Sequence, residues 1–358
     1  MLPDILDCSS MNIAIDVREA LKPKITGKGA WVRGCVTELI KRDHEFTLLS
    51  AGEVPEAWKK PNVTIVVLPH GAIWHFKAAS FLKKHKPDLY LSPTSFIVPS
   101  LLGKKVPYTP VIHDLIAFRR EPHDWKATLI EQMLMKRTLA NAKHIYCISK
   151  ATKKDLLTKF PHVRSNSVSI VYAGPIQNNV KLNIPDGKTI LCVGTLCPRK
   201  NQLRLIHAYN KIPINLRKKY SLILVGGRGW HDKEIVELAE QSDGVDWKKH
   251  IPDIDYLHLL STCTVLAFPS LYEGFGLQVL DALQRGIPVL TSNRGSLSEI
   301  AGTAAILKDP EDENSIAEGL TTLLTDKNLQ NKLRSMGPLQ ANKFSWAKTV
   351  DLILEVIG

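Results

Sequence analysis

The feature that most restricts the fold of this chain is an alternation running through nearly all of it: short apolar, β-branched runs separated by longer stretches with helical spacing. Repeated βα units of this kind build parallel sheets with helices on both faces, because parallel neighbours need a crossover and the crossover helix must bury its apolar stripe. In the first half, Ile13 to Val17, Phe46 to Leu49, Val63 to Leu68, Asp88 to Leu91, Pro110 to His113 and His144 to Ile148 predict strands, with helices at about 30–42, 73–86, 124–141 and 150–160. A second series begins at Thr189 to Gly194 and continues at Ser221 to Gly226, Thr264 to Phe268, Pro288 to Thr291 and Ala305 to Leu307. Three helices follow from about Asp312, and Ser345 is placed to cap the last.

Between the two series lies AGPIQNNVKLNIPDGK, residues 173–188, whose Gly, Pro and Asn content marks a linker. The expected organisation is an N-terminal domain over 1–172, that linker, a C-terminal domain over 189–340 and a closing segment over 341–358. A length of 358 residues suits two domains at roughly 100 to 200 residues each. The predicted class is therefore α/β, with two Rossmann-like doubly wound domains facing a central cleft, where ligands of open α/β sheets bind.

Charge divides the chain unequally. Residues 1–180 hold 26 Lys and Arg against 15 Asp and Glu, a balance of +11, whereas residues 181–358 hold 21 against 20, a balance of +1. Halves so different suggest different partners, one of them anionic. Six cysteines are too sparse for a disulfide scaffold, and Cys192 and Cys197 lack the spacing of a zinc site, so all six are expected to be reduced and packed. No run approaches ~18 apolar residues and the first residues have no basic flank, which predicts neither a membrane span nor a signal peptide. The expected location is the cytoplasm.

Phosphate-binding loops are the first functional test. Asp186-Gly187-Lys188-Thr189 has the tail of a P-loop, but Leu182 stands where the first glycine is required and the segment precedes a strand. Gly27-Lys28-Gly29 follows a strand and opens a helix, yet Val32 stands where GxGxxG needs its last glycine, so a dinucleotide cofactor is disfavoured.

The strongest local signal is FPSLYEGFGLQVLDALQRGIPV, Phe268 to Val289. A strand ends, a turn carries Glu273, and Gly274 and Gly276 leave a bare helix start whose amides suit a pyrophosphate. Asp281 lies eight residues after Glu273, about 12 Å along a helix. Two carboxylates that far apart cannot form one acid/base dyad, but they can bracket a diphosphate by holding hydroxyls at either end. In VGTLCPRKN, Arg199 and Lys200 follow another strand and would compensate the charge of such a diphosphate.

These segments together resemble the retaining GT-B glycosyltransferases of family 4, which transfer a sugar from a nucleotide diphosphate sugar. The resemblance runs from Met11 onward through TGKGAWVRG, VIHDLIAF, CISKATKKDL, VGTLCPRKN, the Phe268 to Val289 segment and the FSW at Phe344 to Trp346, and it is strongest to the mannosyltransferase-like branch acting in polysaccharide or lipopolysaccharide assembly. It implies that Glu273 contacts donor sugar hydroxyls and that Gly274, Phe275, Gly276 and Leu277 offer amides to the diphosphate. Asp281 stands for the usual glutamate that binds ribose, one methylene shorter. Arg199 and Lys200 match the basic pair, Gly27, Gly29, Gly194 and Thr195 fall at donor-contact positions, and His113 faces the reacting sugar.

The chemistry so implied needs no metal and no cofactor beyond the donor, GDP-mannose or a UDP-hexose, and proceeds with retention by front-face attack. The first domain would take a glycan or lipid-linked glycan, the second the donor, with residues 173–188 and the last helix as hinge. The helix Ile73 to Lys86 reads equally as a membrane-surface helix or a core helix with a wet basic side, leaving peripheral contact with an anionic membrane open, whereas no nucleic-acid motif is found. A nucleotide-sugar epimerase and a non-catalytic nucleotide-sugar sensor are the alternatives. Product analysis separates them, since an epimerase yields a new nucleotide sugar and a sensor only binds.

Overall fold

A computed structural model describes residues 10–23, 26–119, 125–176, 182 and 184–357. The chain divides into two compact units, one reaching to Gly174 and taking back Ser345–Gly358, the other spanning Pro175–Phe344.

The first unit carries strands β1 (Asn12–Asp16), β2 (Glu45–Ser50), β3 (Val63–Val67), β4 (Leu89–Ser92), β5 (Tyr108–Ile112), β6 (Ile145–Cys147) and β7 (Val168–Ile170). They form one parallel sheet in the order β3-β2-β1-β4-β5-β6-β7, so strand order reverses between β1 and β4. Helices α1 (Gly27–Leu39), α2 (Ile73–His85), α3 (Ile97–Leu102), α4 (Trp125–Asn141) and α5 (Lys150–Lys159) are its crossovers. β4 and β5 are buried at every position, as strands covered on both faces must be. α1 begins three residues before the expected start because Thr26 caps it, accepting from Gly29 N at 3.1 Å. In α2, Trp74, Ala78, Ala79 and Leu82 turn to the core, while Phe76 stays 62% exposed on the side away from them.

The second unit carries β8 (Thr189–Val193), β9 (Ser221–Val225), β10 (Val245–Trp247), β11 (Val265–Phe268), β12 (Val289–Ser292) and β13 (Ile306–Lys308), parallel and in the order β10-β9-β8-β11-β12-β13. Its reversal falls between β8 and β11. Helices α6 (Gln202–Lys211), α7 (Ile214–Lys219), α8 (Lys233–Gln241), α9 (Asp253–Thr262), α10 (Leu277–Gln284), α11 (Gly295–Ala301), α12 (Glu313–Thr325) and α13 (Lys327–Ala341) complete it. One core, built on Leu205, Ile206, Leu222, Val265, Leu290 and Leu320, joins strands to helices.

Beside α7, α8, α9 and α11, for which the sequence reading named no helix, β7, β10 and α3 also had no counterpart in it. β7 and β10 are three residues long, and α3 spans six residues with a proline inside, all too short for a periodic signal. Of the expected linker, residues 177–181 and 183 lie outside the described residues. Its end is bound to the second unit, Ile184 N donating to Ser261 O at 3.1 Å and Asp186 N to Thr262 O at 2.7 Å.

The last helix, α14 (Trp346–Ile357), belongs to the first unit. Ser345 Oγ accepts from Lys348 N at 3.3 Å, Tyr146 Oη donates to Ile353 O at 2.8 Å, and Arg42 meets Asp351 at 2.8 Å. Trp346 sits in a slot open only to glycine: a Cβ on Gly34 would lie 2.1 Å from the indole, and one on Gly174 2.6 Å from the Trp346 backbone nitrogen. Side chains at either position would expel the ring.

Candidate active site

The richest cluster lies at the reversal of the second sheet. Gly194 directly follows β8 and its amide donates to Val225 O at 2.8 Å, and Thr195 O accepts from Gln202 Nε2 at 3.1 Å. A single tight turn, Pro198–Lys200, then presents Arg199 and Lys200, with Pro198 setting the backbone at its start. Asn201 follows in the left-handed region at φ 63°. It is buried, and its Nδ2 donates to Pro269 O at 2.9 Å and Pro310 O at 2.7 Å, tying this turn to the loops after β11 and β13. Asparagine tolerates that backbone better than most residues, which accounts for its place here.

The loop after β11 supplies the acid. Glu273 Oε1 lies 2.9 Å from Arg199 Nη1 and 2.6 Å from Lys200 Nζ, and Ser270 Oγ is 2.7 Å away on the same oxygen. Burial alone would raise the Glu273 pKa, but the charges of Lys200 and Arg199 and the hydrogen bonds from Lys200 and Ser270 outweigh it, holding the carboxyl below its ordinary range. The acid is therefore ionised at neutral pH. Arg199 Nη1 also donates to Tyr272 O at 2.8 Å, Lys200 Nζ lies 4.7 Å from the Phe268 ring centroid, and Ser296 Oγ donates to Glu273 O at 2.7 Å.

Gly274, Phe275, Gly276 and Leu277 lead into α10. Gly276 adopts φ 112° as its first flanking residue, and a Cβ there would come 2.7 Å from Leu297 Cδ2, so the helix start is left without a side-chain cap. Asp281, on the second turn of α10, is 3% exposed and takes Arg285 Nε on Oδ1 at 3.1 Å; Arg285 is equally buried. Burial raises the Asp281 pKa, and Arg285 opposes the shift. The residue matched by sequence to a ribose contact thus already has a protein partner one turn further along its own helix.

Gly27, Gly29 and His113 belong to the first unit. Gly29 gives its amide to the Thr26 cap. His113, just past β5, is buried, with Nε2 2.7 Å from Pro93 O and its ring edge-on to Trp31 at 5.6 Å; Trp31 in turn meets Trp346 at 6.1 Å. Burial, helped by the charge of Lys28, pushes the His113 pKa down to about 4. The neutral ring must donate from Nε2 to the carbonyl, which leaves Nδ1 as its acceptor.

The structure brings Arg199, Lys200 and Glu273 into direct contact beside Gly194 and Thr195, and it pairs Asp281 with Arg285. Sequence reasoning gave no role to Asn201, Ser270, Ser296 or Arg285. Ser270, three residues before Glu273, had a local signal in its spacing; the bonds of Asn201 and Ser296 span distant segments and had none. Cys35, Cys147, Cys192, Cys197 and Cys263 are free and buried, and burial lifts the Cys192 and Cys263 thiols to about 12. Cys8 lies outside the described residues. Among the described residues no three His, Cys, Asp or Glu side chains gather as a metal site, and no helix is long and apolar enough to cross a membrane.

Two doubly wound parallel units with this reversal-point cluster define the GT-B fold. HepE of Anabaena, solved with UDP and glucose, shares it at a TM-score of 0.73 with 18% identity, covering 96% of this chain and 98% of that one. Family models then divide the sequence between them: Glycosyltransferase Family 4 matches residues 25–174 and Glycosyl transferases group 1 matches residues 176–340. The chain belongs to these family 4 glycosyltransferases and is a hexosyltransferase. O-antigen chain mannosyltransferase B of Escherichia coli is 29% identical over 282 residues, 74% of this chain and 72% of that protein. The serotype-specific mannosyltransferase WbdA of Escherichia coli is 34% identical over 180 residues, 49% of this chain, and the match spans 22% of WbdA.

Proposed function

We propose that the protein is a retaining mannosyltransferase that moves mannose from GDP-mannose to a glycan or lipid-linked glycan during polysaccharide or lipopolysaccharide assembly. The observation that carries the reading is the convergence of Arg199 and Lys200 on Glu273 beside the uncapped start of α10. In this reading Oε2 accepts a donor sugar hydroxyl, and the two cations meet the diphosphate as its charge grows during bond cleavage. The amides of Gly274, Phe275, Gly276 and Leu277 add the partial positive charge of a helix start. The departing phosphate oxygen takes the acceptor proton, so attack comes from the face that the leaving group vacates and configuration is retained. His113, neutral and edge-on to Trp31, orients the reacting sugar through Nδ1, and Gly27, Gly29, Gly194 and Thr195 border the donor. Asp281 is the proposed ribose contact, in competition with Arg285. The names of the mannosyltransferase relatives support mannose over another hexose.

Incubation with GDP-mannose and, separately, UDP-glucose, followed by nuclear magnetic resonance of the product anomeric proton, tests donor and stereochemistry together. An inverted product excludes front-face attack, and preference for UDP-glucose replaces the donor. Transfer is expected to survive EDTA; restoration by Mg²⁺ or Mn²⁺ after its loss would overturn metal independence. Action at the cytoplasmic membrane face is part of the proposal, with the exposed Phe76 and Lys84 of α2 and Lys86 just past its end contacting anionic lipid.

A further inference from the structure

Two tryptophans stand in segments that carry the family resemblance, Trp31 in TGKGAWVRG on α1 and Trp346 in FSW at the head of α14, and the first unit lines them up behind His113. Trp31 is 1% exposed and stands edge-on to both neighbours. Its ring centroid lies 5.6 Å from that of His113 and 6.1 Å from that of Trp346, both inside the range where aromatic pairs attract. Trp346 cannot retreat from it. The Trp346 ring fills the space beside Gly34, its backbone nitrogen packs on Gly174, and Thr349, within the next turn, donates its hydroxyl to Tyr172 O.

His113 needs such a wall. Its Nε2 is tied to Pro93 O at 2.7 Å, but a single hydrogen bond at one end of an imidazole leaves the ring free to swing about that point and to carry Nδ1 with it. The edge of Trp31 closes that swing.

An indole is a costly way to fill this space. Trp31 Nε1 is buried with no hydrogen-bond partner among the described residues, and an orphaned buried donor lowers stability. Phenylalanine at this position carries no such donor, yet its single ring is too short to meet His113 and Trp346 at once. Stability alone therefore favours the smaller ring, whereas holding His113 still favours the indole.

We propose that Trp31 is a positioning residue for sugar transfer, holding the His113 ring in place, and that Trp346 acts through it as the backing that fixes the indole. The proposal rests on the reading of His113 as the group that orients the reacting sugar. The return of α14 to the first unit then serves the reaction as well as the fold.

Steady-state transfer by the full chain, with whichever of GDP-mannose and UDP-glucose it uses, tests this together with thermal unfolding and nitrogen-15 nuclear magnetic resonance of the His113 ring. Trp31→Phe should lower kcat by up to about 10², the effect of a displacement of about 1 Å at a reacting group, while donor and acceptor KM stay constant and Tm is unchanged or raised. Trp346→Phe should lower kcat about tenfold. The double variant should be no slower than Trp31→Phe alone, because residues that act in series are not additive. In the parent, His113 should show one tautomer, protonated at Nε2; in Trp31→Phe the two ring nitrogens should move toward a common average. Should Trp31→Phe fail to fold, kcat and the His113 tautomer in Trp346→Phe decide the matter. A kcat within threefold of the parent, a loss confined to KM, additive losses in the double variant, or a His113 tautomer that no substitution changes would overturn the proposal. His113→Ala separates it from the reading beneath it. Parental kcat in His113→Ala removes the imidazole from the reaction, whereas a slow His113→Ala beside a Trp31→Phe at the parental rate sinks the positioning role alone.

Discussion

In the second unit, the loops after β8 and β11 bring two cations onto one carboxylate, leaving a net positive cluster. At the equivalent reversal of the first unit, the loop after β1 brings one cation, cancels it with Asp16 and lays it flat on Trp74. The topology is the same and the chemistry is not. The half of the chain with almost balanced charge holds Arg199 and Lys200 on one acid, while the strongly basic half carries exposed lysines such as Lys84, Lys86, Lys104 and Lys105 and gathers Lys150, Lys153 and Lys154 around a recess along α5. Net charge alone therefore does not locate a site; a site is set by which charges remain after near neighbours have paired.

The contrast is broken most directly at Glu273. Glu273→Gln should lower turnover by roughly 10³, since the amide cannot accept at both atoms and leaves Arg199 and Lys200 uncompensated. Steady-state rates within threefold of the parent would remove Glu273 from the reaction. Lys200→Ala should cost about 10² in kcat with a smaller change in donor KM, because its charge matters most as the diphosphate leaves. A loss confined to KM would make it a ground-state contact.

Asp281 sharpens the comparison from inside the helix. Removing one partner of a buried pair strands the other, so Asp281→Ala should cost about 3 to 5 kcal/mol of stability, read by denaturant unfolding. Unchanged stability with weakened nucleotide binding would show that the carboxylate serves the ligand and not Arg285.

His113 gives the first unit a pH signature. Its folded pKa near 4 lies below the ordinary 6.5, so between those values the unfolded chain binds the proton that the folded chain refuses. Stability from this group is complete above about pH 6.5 and falls as the pH drops toward 4, by up to about 3 kcal/mol. His113→Gln should flatten that part of the curve relative to the parent. Parallel curves would mean that the imidazole titrates freely.

The smallest effect belongs to the exposed lysines. Replacing Lys84 and Lys86 with Gln should weaken sedimentation with anionic vesicles by up to about 1 kcal/mol per charge at low salt, and by less when the Debye length falls to about 8 Å. Equal sedimentation of parent and variant at both salt concentrations would confine α2 to its core contacts.

Much of this molecule was legible before folding was considered. Buried parallel strands need unbroken apolar runs, so β1 through β6 and five strands of the second sheet announced themselves, and the loops carrying Arg199, Lys200 and Glu273 followed from where those runs end. Sequence determined these features because each depends on residues close together in the chain. Tertiary structure alone decided the rest. Arg18 meets Trp74 across 56 positions, Asn201 reaches Pro269 and Pro310, and Trp346 finds its slot between Gly34 and Gly174. Asp281 and Arg285 stand one helical turn apart in sequence, but their burial, which turns a surface pair into a structural one, comes from packing. Periodicity and motif spacing encode what a segment does by itself; which charges end up cancelled, and in how little water, depends on contacts that exist only once the chain has closed on itself.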